Sequence, residues 1–129
     1  MLVAEDDAAI RDVVAEALSD EGYAVTVVAN GQEALDRCHA VTPDVVLLDL
    51  MMPVLDGFQF LKRGQEGCGA PVIVMSAGFR FRELPAETHV EGFVEKPFDL
   101  VDLVAAVERC IGPAEGPIVQ HTRRDAAVL

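Results

Sequence analysis

Short apolar runs alternate with amphipathic stretches along the first 111 residues of the chain. The apolar runs predict strands at residues 2–4, 23–28, 44–49, 71–76 and 91–95. The amphipathic stretches, with an apolar residue at every third or fourth position, predict helices at residues 10–18, 32–39, 58–63 and 100–111. Alternation of strands and helices favours an α/β fold, in which helices cover both faces of a parallel sheet.

Two of the predicted strands contain apolar residues at every position. They lie at residues 45–48 and 72–75, and this pattern is typical of strands that are covered on both faces. We therefore predict a doubly wound (βα)5 domain over residues 1–111. Its five-stranded parallel sheet is expected to have the order 2-1-3-4-5.

Three parts of the chain depart from this regular pattern. The segment at residues 77–91 has no helical stripe and contains Pro85, so the fourth helix is expected to be short or irregular, at residues 81–88 at most. The third helix is expected to end early at a cluster of glycines: Gly64, Gly67 and Gly69. Residues 112–129 have no usable core and are predicted to be a tail or a linker stub.

The charge and the hydropathy of the chain limit its partners. The chain has 22 acidic and 10 basic residues, a formal net charge of −12. Such a charge repels nucleic acid and anionic membranes, but not a metal cation or a basic protein surface. The apolar runs are far shorter than the ~20 residues that span a bilayer, and no signal peptide pattern is present. We therefore predict a cytoplasmic protein with no direct binding to nucleic acid or membranes.

The cysteines of the chain are Cys38, Cys68 and Cys110. Their odd number and wide spacing indicate neither a disulfide framework nor a zinc site. We predict that all three are unpaired, as small buried or half-buried side chains in a reducing cytoplasm.

Polar residues of complementary charge stand at the carboxyl ends of four predicted strands. They are the acidic residues 5–7, Asp49, Ser76 and Lys96. Ligands of open α/β sheets bind at this edge, near the point where the strand order reverses, so we expect these side chains to lie together. Closely packed carboxylates repel one another unless a cation lies between them. A set of oxygen ligands suits Mg²⁺, with Mn²⁺ as an alternative.

A carboxylate beside a divalent cation, an ammonium group and a hydroxyl group can act as a nucleophile toward phosphorus. Asp49 would then form an aspartyl phosphate, and Lys96 and the metal would stabilise the transferring group. Ser76 would bond a phosphoryl oxygen only after this modification, as a switch requires. Taken singly, these residues have ordinary interpretations as helix caps, turn formers or surface charges. Their occurrence together at one sheet edge favours a shared site.

Four motifs resemble those of a known family: VAEDD at residues 3–7, VVLLDLMMPVLDG at 45–57, VIVMSA at 72–77 and GFVEKPF at 92–98. With these motifs in this order, the chain resembles the receiver domain of two-component response regulators. The resemblance implies a flavodoxin-like fold. It also implies a switch that accepts a phosphoryl group from a sensor histidine kinase or a histidine phosphotransfer protein and controls a downstream protein or an output domain. Such a domain assists its own phosphorylation and dephosphorylation but is not an enzyme with a released product.

The resemblance implies roles for the acidic residues. Asp49 resembles the phospho-acceptor. Glu5 and Asp6 resemble the acidic pair that binds Mg²⁺, with Asp6 as the more direct ligand. Met51 would contribute its backbone carbonyl to the same metal ion.

The resemblance also implies roles for residues of the fourth and fifth strands. Ser76 and Phe93 resemble the hydroxyl and aromatic switch residues, and Lys96 resembles the lysine that binds the phosphoryl group. The Lys96–Pro97 peptide bond is expected to be cis. The irregular segment at residues 77–91 departs from the family pattern. It leaves open whether a homodimer forms through the fourth helix, the fifth strand and the fifth helix.

Three alternatives belong to other functional classes. A magnesium-dependent phosphohydrolase would place an acidic residue two positions after its nucleophile, where this chain has Met51. A flavin-binding module would need a phosphate loop after the first strand, where the acidic residues 5–7 would repel phosphate. A receiver-like scaffold that works without phosphorylation would not need Asp49 and Lys96, although the irregular segment keeps this alternative open.

Overall fold

The strands form one parallel sheet, which matches the predicted topology. The computed structural model describes residues 1–77 and 90–114, except for the side chains of residues 64–67. Its elements are β1 (Leu2–Ala4), α1 (Ala8–Asp20), β2 (Thr26–Val28), α2 (Gly31–Ala40), β3 (Val46–Asp49), α3 (Gly57–Gly67), β4 (Val72–Ser76), β5 (Val90–Glu95) and α4 (Leu100–Ile111). The sheet order is β2-β1-β3-β4-β5, and every pairing is parallel. The predicted order and the doubly wound architecture are therefore confirmed.

Two apolar layers cover the sheet, one on each face. On the first face, α2 and α3 pack on the strands through a cluster that includes Leu35, Phe60, Leu61, Leu48 and Val74. On the second face, α1 and α4 pack through a cluster that includes Leu18, Leu103, Val107, Leu47 and Ile73. Successive strand residues point to opposite faces, so adjacent residues of β3 belong to different layers. This two-sided burial explains why the central strands are apolar at every position.

The helix ends agree with the sequence in part. Asp7 caps α1, because its side chain accepts hydrogen bonds from the backbone N–H groups of the first turn. The last helix has its predicted bounds, but the side chain of Asp99 makes no capping hydrogen bond. The prediction of an early end to α3 is wrong, since the helix continues through Gly64 to Gly67. Glycine costs a helix about 1 kcal/mol relative to alanine, and the buried side chains of α3 outweigh that cost.

The predicted fourth helix lies outside the described residues, as does the tail beyond residue 114. The helix named α4 here is therefore the fifth helix of the sequence prediction. Among the helices that the structure describes, none is both long enough and apolar enough to cross a membrane.

Cys38 of α2 and Cys68, which follows α3, form a disulfide, with their Cα atoms 5.5 Å apart. The prediction that these two cysteines stay unpaired is therefore wrong. The two residues are 30 positions apart in the sequence, and only the packing of α2 beside α3 brings them together. Cys110 is free, as predicted.

Val54 lies in the loop between β3 and α3 and has a φ of 67°. This left-handed backbone conformation is strained for a β-branched residue, and the side chain gains little from packing because it is 79% exposed. We expect Val54→Asn to raise the free energy of unfolding by about 1 kcal/mol, measured by urea denaturation. Val41→Asn is the matched control, because Val41 is also exposed but has an extended backbone. A destabilised Val54→Asn protein would contradict this prediction.

Candidate functional site

The carboxyl ends of four adjacent strands meet at one edge of the sheet. Ala4, the last residue of β1, pairs with Leu48 of β3, so Glu5 follows beside Asp49. Ser76 of β4 pairs with Glu95 of β5, and the backbone N–H of the following residue, Lys96, donates a 2.8 Å hydrogen bond to the Ser76 carbonyl. The parallel register therefore brings the predicted site residues of these four strands to one edge.

Three carboxylates cluster at this edge. One oxygen each from Glu5, Asp6 and Asp49 lies within 4.8 Å of the other two, with Glu5 and Asp49 buried and Asp6 exposed. Two buried carboxylates at this separation need a cation to offset their repulsion and their loss of hydration. The donor set contains only oxygen atoms, and it is open to solvent on the Asp6 side. These residues fit a hard divalent cation such as Mg²⁺, which retains several water ligands.

Lys96 approaches the cluster from the β5 side. Its Nζ atom lies 2.5 Å from Glu5 Oε1 and 3.3 Å from Asp49 Oδ2. Asp49 Oδ1 accepts a 3.1 Å hydrogen bond from the backbone N–H of Met51. Each carboxylate oxygen of Asp49 thus accepts a hydrogen bond, and the carboxylate lies at the carboxyl end of β3.

The electrostatics of the cluster follow from this arrangement. Burial, together with the neighbouring Asp49, raises the pKa of Glu5 from 4.5 to about 7, although Lys96 opposes this change. Burial by itself lowers the pKa of Lys96, but its bonds to Glu5 and the charge of Asp49 outweigh burial and raise that pKa. Lys96 therefore keeps its positive charge at neutral pH, while the pKa of Glu5 places the gain and loss of its proton near neutral pH.

The hydroxyl group of Ser76 is buried and makes no hydrogen bond to any residue that the structure describes. Buried polar groups nearly always have a partner, and an unsatisfied one costs about 1–3 kcal/mol. The group stands at the end of β4, beside the strand that carries Asp49. The hydroxyl therefore lies at the strand end where the sequence places the hydroxyl switch residue, and its contact with a phosphoryl group remains a prediction.

Phe93 and Met51 lie near this edge, but the geometry does not test their predicted roles. Phe93 pairs with Val74 on β4 and is 47% exposed. Its inward rotation remains a prediction, as does the metal contact of the Met51 carbonyl. The Lys96–Pro97 bond is cis, as predicted.

Three further residues, whose roles no sequence motif indicated, support the site. The Arg11 side chain donates a 3.1 Å hydrogen bond to the Glu5 carbonyl. A Cβ atom on Gly57 would lie 2.6 Å from the Asp49 carbonyl oxygen, and one on Gly31 would lie 2.2 Å from the Leu55 carbonyl oxygen. The pairs Asn30-Gly31 and Asp56-Gly57 are typical of turns. That pattern does not reveal that the backbone of the loop after Asp49 lies close to both glycines.

Comparison with known proteins gives a consistent result. Residues 1–108 match the model of the response regulator receiver domain. The transcriptional regulatory protein CseB of Streptomyces avermitilis is 38% identical over 122 residues, which cover 91% of this chain and 52% of that protein. The response regulator MprA of a Mycobacterium species is 37% identical over 123 residues, which cover 91% of this chain and 54% of that protein. This chain thus spans about half the length of these curated relatives.

Solved structures show the same similarity. The receiver domain of a Francisella response regulator superposes with a TM-score of 0.77 at 30% identity, covering 85% of this chain and 93% of that one. The receiver domain of a sensor histidine kinase from Pseudomonas aeruginosa, which has a magnesium ion coordinated in its active site cleft, superposes with a TM-score of 0.78 at 29% identity. That match covers 86% of this chain and 95% of the other.

Proposed function

Because this chain belongs to the response regulator receiver domain family, we propose that Asp49 accepts a phosphoryl group from a phosphohistidine and that this modification switches the conformation of the domain. The observation that carries the proposal is the placement of the Asp49 carboxylate. It lies between the Met51 N–H and the Lys96 ammonium, beside two further carboxylates. A nucleophilic carboxylate held by donors on one side and a cation site on the other suits phosphoryl transfer.

Glu5, Asp6, Asp49 and the backbone carbonyl of Met51 would hold Mg²⁺, with Mn²⁺ as a second candidate. When bound, the cation neutralises carboxylate charge and so lets an anionic phosphoryl donor approach. Asp6, the exposed member, leaves the site open to water ligands and to the donor. The proposed magnesium site rests on this oxygen donor set.

The proposed step makes one bond and breaks one. A carboxylate oxygen of Asp49 attacks phosphorus, an O–P bond forms, and the N–P bond of the phosphohistidine breaks, so its electron pair returns to the imidazole. Lys96 then pairs with a phosphoryl oxygen, and the Ser76 hydroxyl donates a hydrogen bond to another. The domain assists this single modification and its reversal, and we propose no further enzymatic activity.

The switch would connect the site to a partner. Movement of Ser76 toward the phosphoryl group would free space for Phe93 to rotate inward from the surface of β5. We propose that the domain acts in the cytoplasm, with a sensor histidine kinase or a histidine phosphotransfer protein as the phosphoryl donor. The conformational change would act on a downstream protein or on an output domain beyond residue 112. An output domain is considered because the relatives are about twice as long as this chain.

Three related predictions have different support. The boundary between the domain at residues 1–111 and the tail at residues 112–129 stays a prediction, as does a homodimer through β5, α4 and the predicted fourth helix. The expected absence of nucleic-acid binding applies at most to this domain, because the relatives include proteins named transcriptional regulators. A receiver-like scaffold that needs no phosphorylation remains the alternative function.

Incubation with acetyl phosphate tests the proposal directly. The protein should gain one phosphoryl group per chain in the presence of Mg²⁺, as measured by intact mass, and none when the cation is removed by a chelator. An unmodified mass in saturating Mg²⁺ would favour the scaffold.

The stabilising effect of Mg²⁺ should increase with pH. Because the pKa of Glu5 is raised in the folded chain, to about 7, the folded metal-free domain binds a proton between pH 4.5 and 7 that the unfolded chain does not. Its stability therefore falls as the pH rises through this range. Mg²⁺ must displace that proton at low pH, so its apparent affinity should fall roughly tenfold per pH unit below 7.

The measurement is the increase in unfolding midpoint that MgCl₂ produces on the acidic and the alkaline side of neutrality. The increase should be larger on the alkaline side. Asp6→Asn is the control, because it removes a ligand and should abolish the increase at both pH values. Equal increases in the parent protein would show that Glu5 does not take part in binding the cation.

A further inference from the structure

The disulfide between Cys38 and Cys68 joins two elements on the same face of the sheet. Cys38 lies in the last turn of α2, and Cys68 is the first residue after α3. The side chains are 1% and 6% exposed, respectively, and both belong to the apolar cluster between these helices and the strands. Their Cα separation of 5.5 Å lies in the ordinary range for disulfides. The fold itself thus brings the two sulfur atoms together.

The bond closes a loop that contains the phospho-acceptor. Asp49, the rest of β3 and all of α3 lie between the two cysteines. The other end of α2 also contacts this loop, because the Gly31 backbone N–H donates a 2.9 Å hydrogen bond to the Leu55 carbonyl. Helix α2 is therefore fixed to the Asp49 segment at both ends, noncovalently near the site and covalently at the far end.

The proposed place of action makes this bond unusual. Disulfides in a reducing cytoplasm are uncommon, and those that form there are usually transient or redox-sensing. We propose that Cys38 and Cys68 form a redox-responsive clasp, which in its oxidised form stabilises the α2–β3–α3 unit that carries Asp49. The inference goes beyond the proposed function and rests on it only for the expected cytoplasmic location and for the phosphorylation readout.

Thiol–disulfide exchange with a low-molecular-weight disulfide would close the clasp. Cys68 is the more exposed partner and precedes the exposed Gly69, so its thiolate attacks one sulfur of the small disulfide and releases one small thiolate. The Cys38 thiolate then attacks the Cys68 sulfur of the mixed disulfide and releases the second. The protons of the two cysteine thiols end on the two small thiols. Reduction is the reverse sequence.

Alkylation after equilibration with glutathione mixtures tests the bond itself. The folded protein is equilibrated at a series of ratios of reduced to oxidised glutathione, quenched in denaturant with an alkylating agent, and examined by mass spectrometry. The oxidised protein should carry one alkyl group, on Cys110, and a linked peptide pair containing Cys38 and Cys68, while the reduced protein should carry three. Three alkyl groups at every ratio would overturn the proposal. So would a bond that persists in the folded protein in millimolar reduced glutathione, because such a bond would be structural only.

Unfolding midpoints and phosphorylation test the consequence. Reduction should lower the midpoint of the parent protein by roughly 10 °C. The paired variant Cys38→Ala with Cys68→Ala should show no redox response, and the control Cys110→Ala should respond like the parent. At a temperature between the unfolding midpoints of the reduced and the oxidised parent protein, acetyl phosphate should modify the oxidised protein but not the reduced one.

The two proposals fail in different ways. A midpoint that is independent of redox state would overturn the clasp while leaving the role of Asp49 intact. Absence of phosphorylation at a temperature where both redox forms are folded would contradict the function of Asp49 instead, and the midpoint measurement would still decide on the clasp.

Discussion

Phosphorylation by acetyl phosphate should be lost in Asp49→Asn, with a decrease of at least about 100-fold in the fraction modified. Asparagine keeps the shape of the side chain and an oxygen that can accept the Met51 N–H bond. It lacks the carboxylate that attacks phosphorus, and it removes one of the three carboxylates of the cation cluster. The readout is intact mass after incubation with Mg²⁺, and a beryllofluoride complex, which mimics the phosphoryl group, should be lost in parallel.

Asp44→Asn, just before the start of β3, is the matched control for Asp49→Asn. Asp44 is exposed and precedes β3, so Asp44→Asn changes the net charge equally but leaves the site untouched. It should be modified like the parent protein. The unfolding midpoint of Asp49→Asn should be measured as well, because loss of labelling is informative only in a folded protein. Full labelling of a folded Asp49→Asn variant would show that another residue is the acceptor.

The second large effect is on stability. Gly31→Ala should lower the free energy of unfolding by about 3 kcal/mol and the unfolding midpoint by roughly 10 °C. A Cβ atom at this position would lie 2.2 Å from the Leu55 carbonyl oxygen and 2.9 Å from the carbonyl carbon. Both are backbone atoms, so no side-chain rotation relieves the clash. Either α2 or the loop after β3 must move, and the hydrogen bond from the Gly31 N–H to Leu55 would be lost.

Gly69→Ala is the control for this substitution. The added Cβ atom would meet no heavy atom within 4 Å. Its free energy of unfolding should stay within about 1 kcal/mol of the parent value, and small gains are expected from reduced flexibility of the unfolded chain. If the two variants were equally stable, the close contact between α2 and the loop would not be a feature of the protein in solution.

The strand ends of this protein could be predicted from sequence because they depend on short-range patterns. Continuous apolar runs located β3 and β4, and the polar residues that follow the runs located Asp49 and Ser76. Parallel strands place their carboxyl ends at one edge, so the site followed from topology without any knowledge of side-chain positions. The final helix was predicted with the same bounds because its apolar stripe is complete.

Features that depend on contacts between distant elements could not be predicted in this way. The pairing of Cys38 with Cys68 requires α2 to lie beside α3, which no local pattern encodes. The continuation of α3 through Gly64 depends on burial of the helix against the sheet, which outweighs the local preference of glycine. That the hydroxyl of Ser76 has no hydrogen-bond partner among the described residues likewise becomes apparent only from their three-dimensional arrangement.

The hydroxyl of Ser76, for which residues 1–77 and 90–114 provide no hydrogen-bond partner, has a consequence for the populations of the unmodified domain. Any conformation in which this group finds an acceptor gains about 1–3 kcal/mol over one in which it has none. That difference corresponds to a change of roughly 5- to 150-fold in the ratio of two conformations. At the upper end of this range, an acceptor oxygen near Asp49 would change a ratio of ten to one into roughly one to fifteen through this single group. The proposed phosphoryl group on Asp49 would supply such an acceptor, so the hydrogen bond that Ser76 lacks in the unmodified domain becomes a source of stabilisation for the modified one.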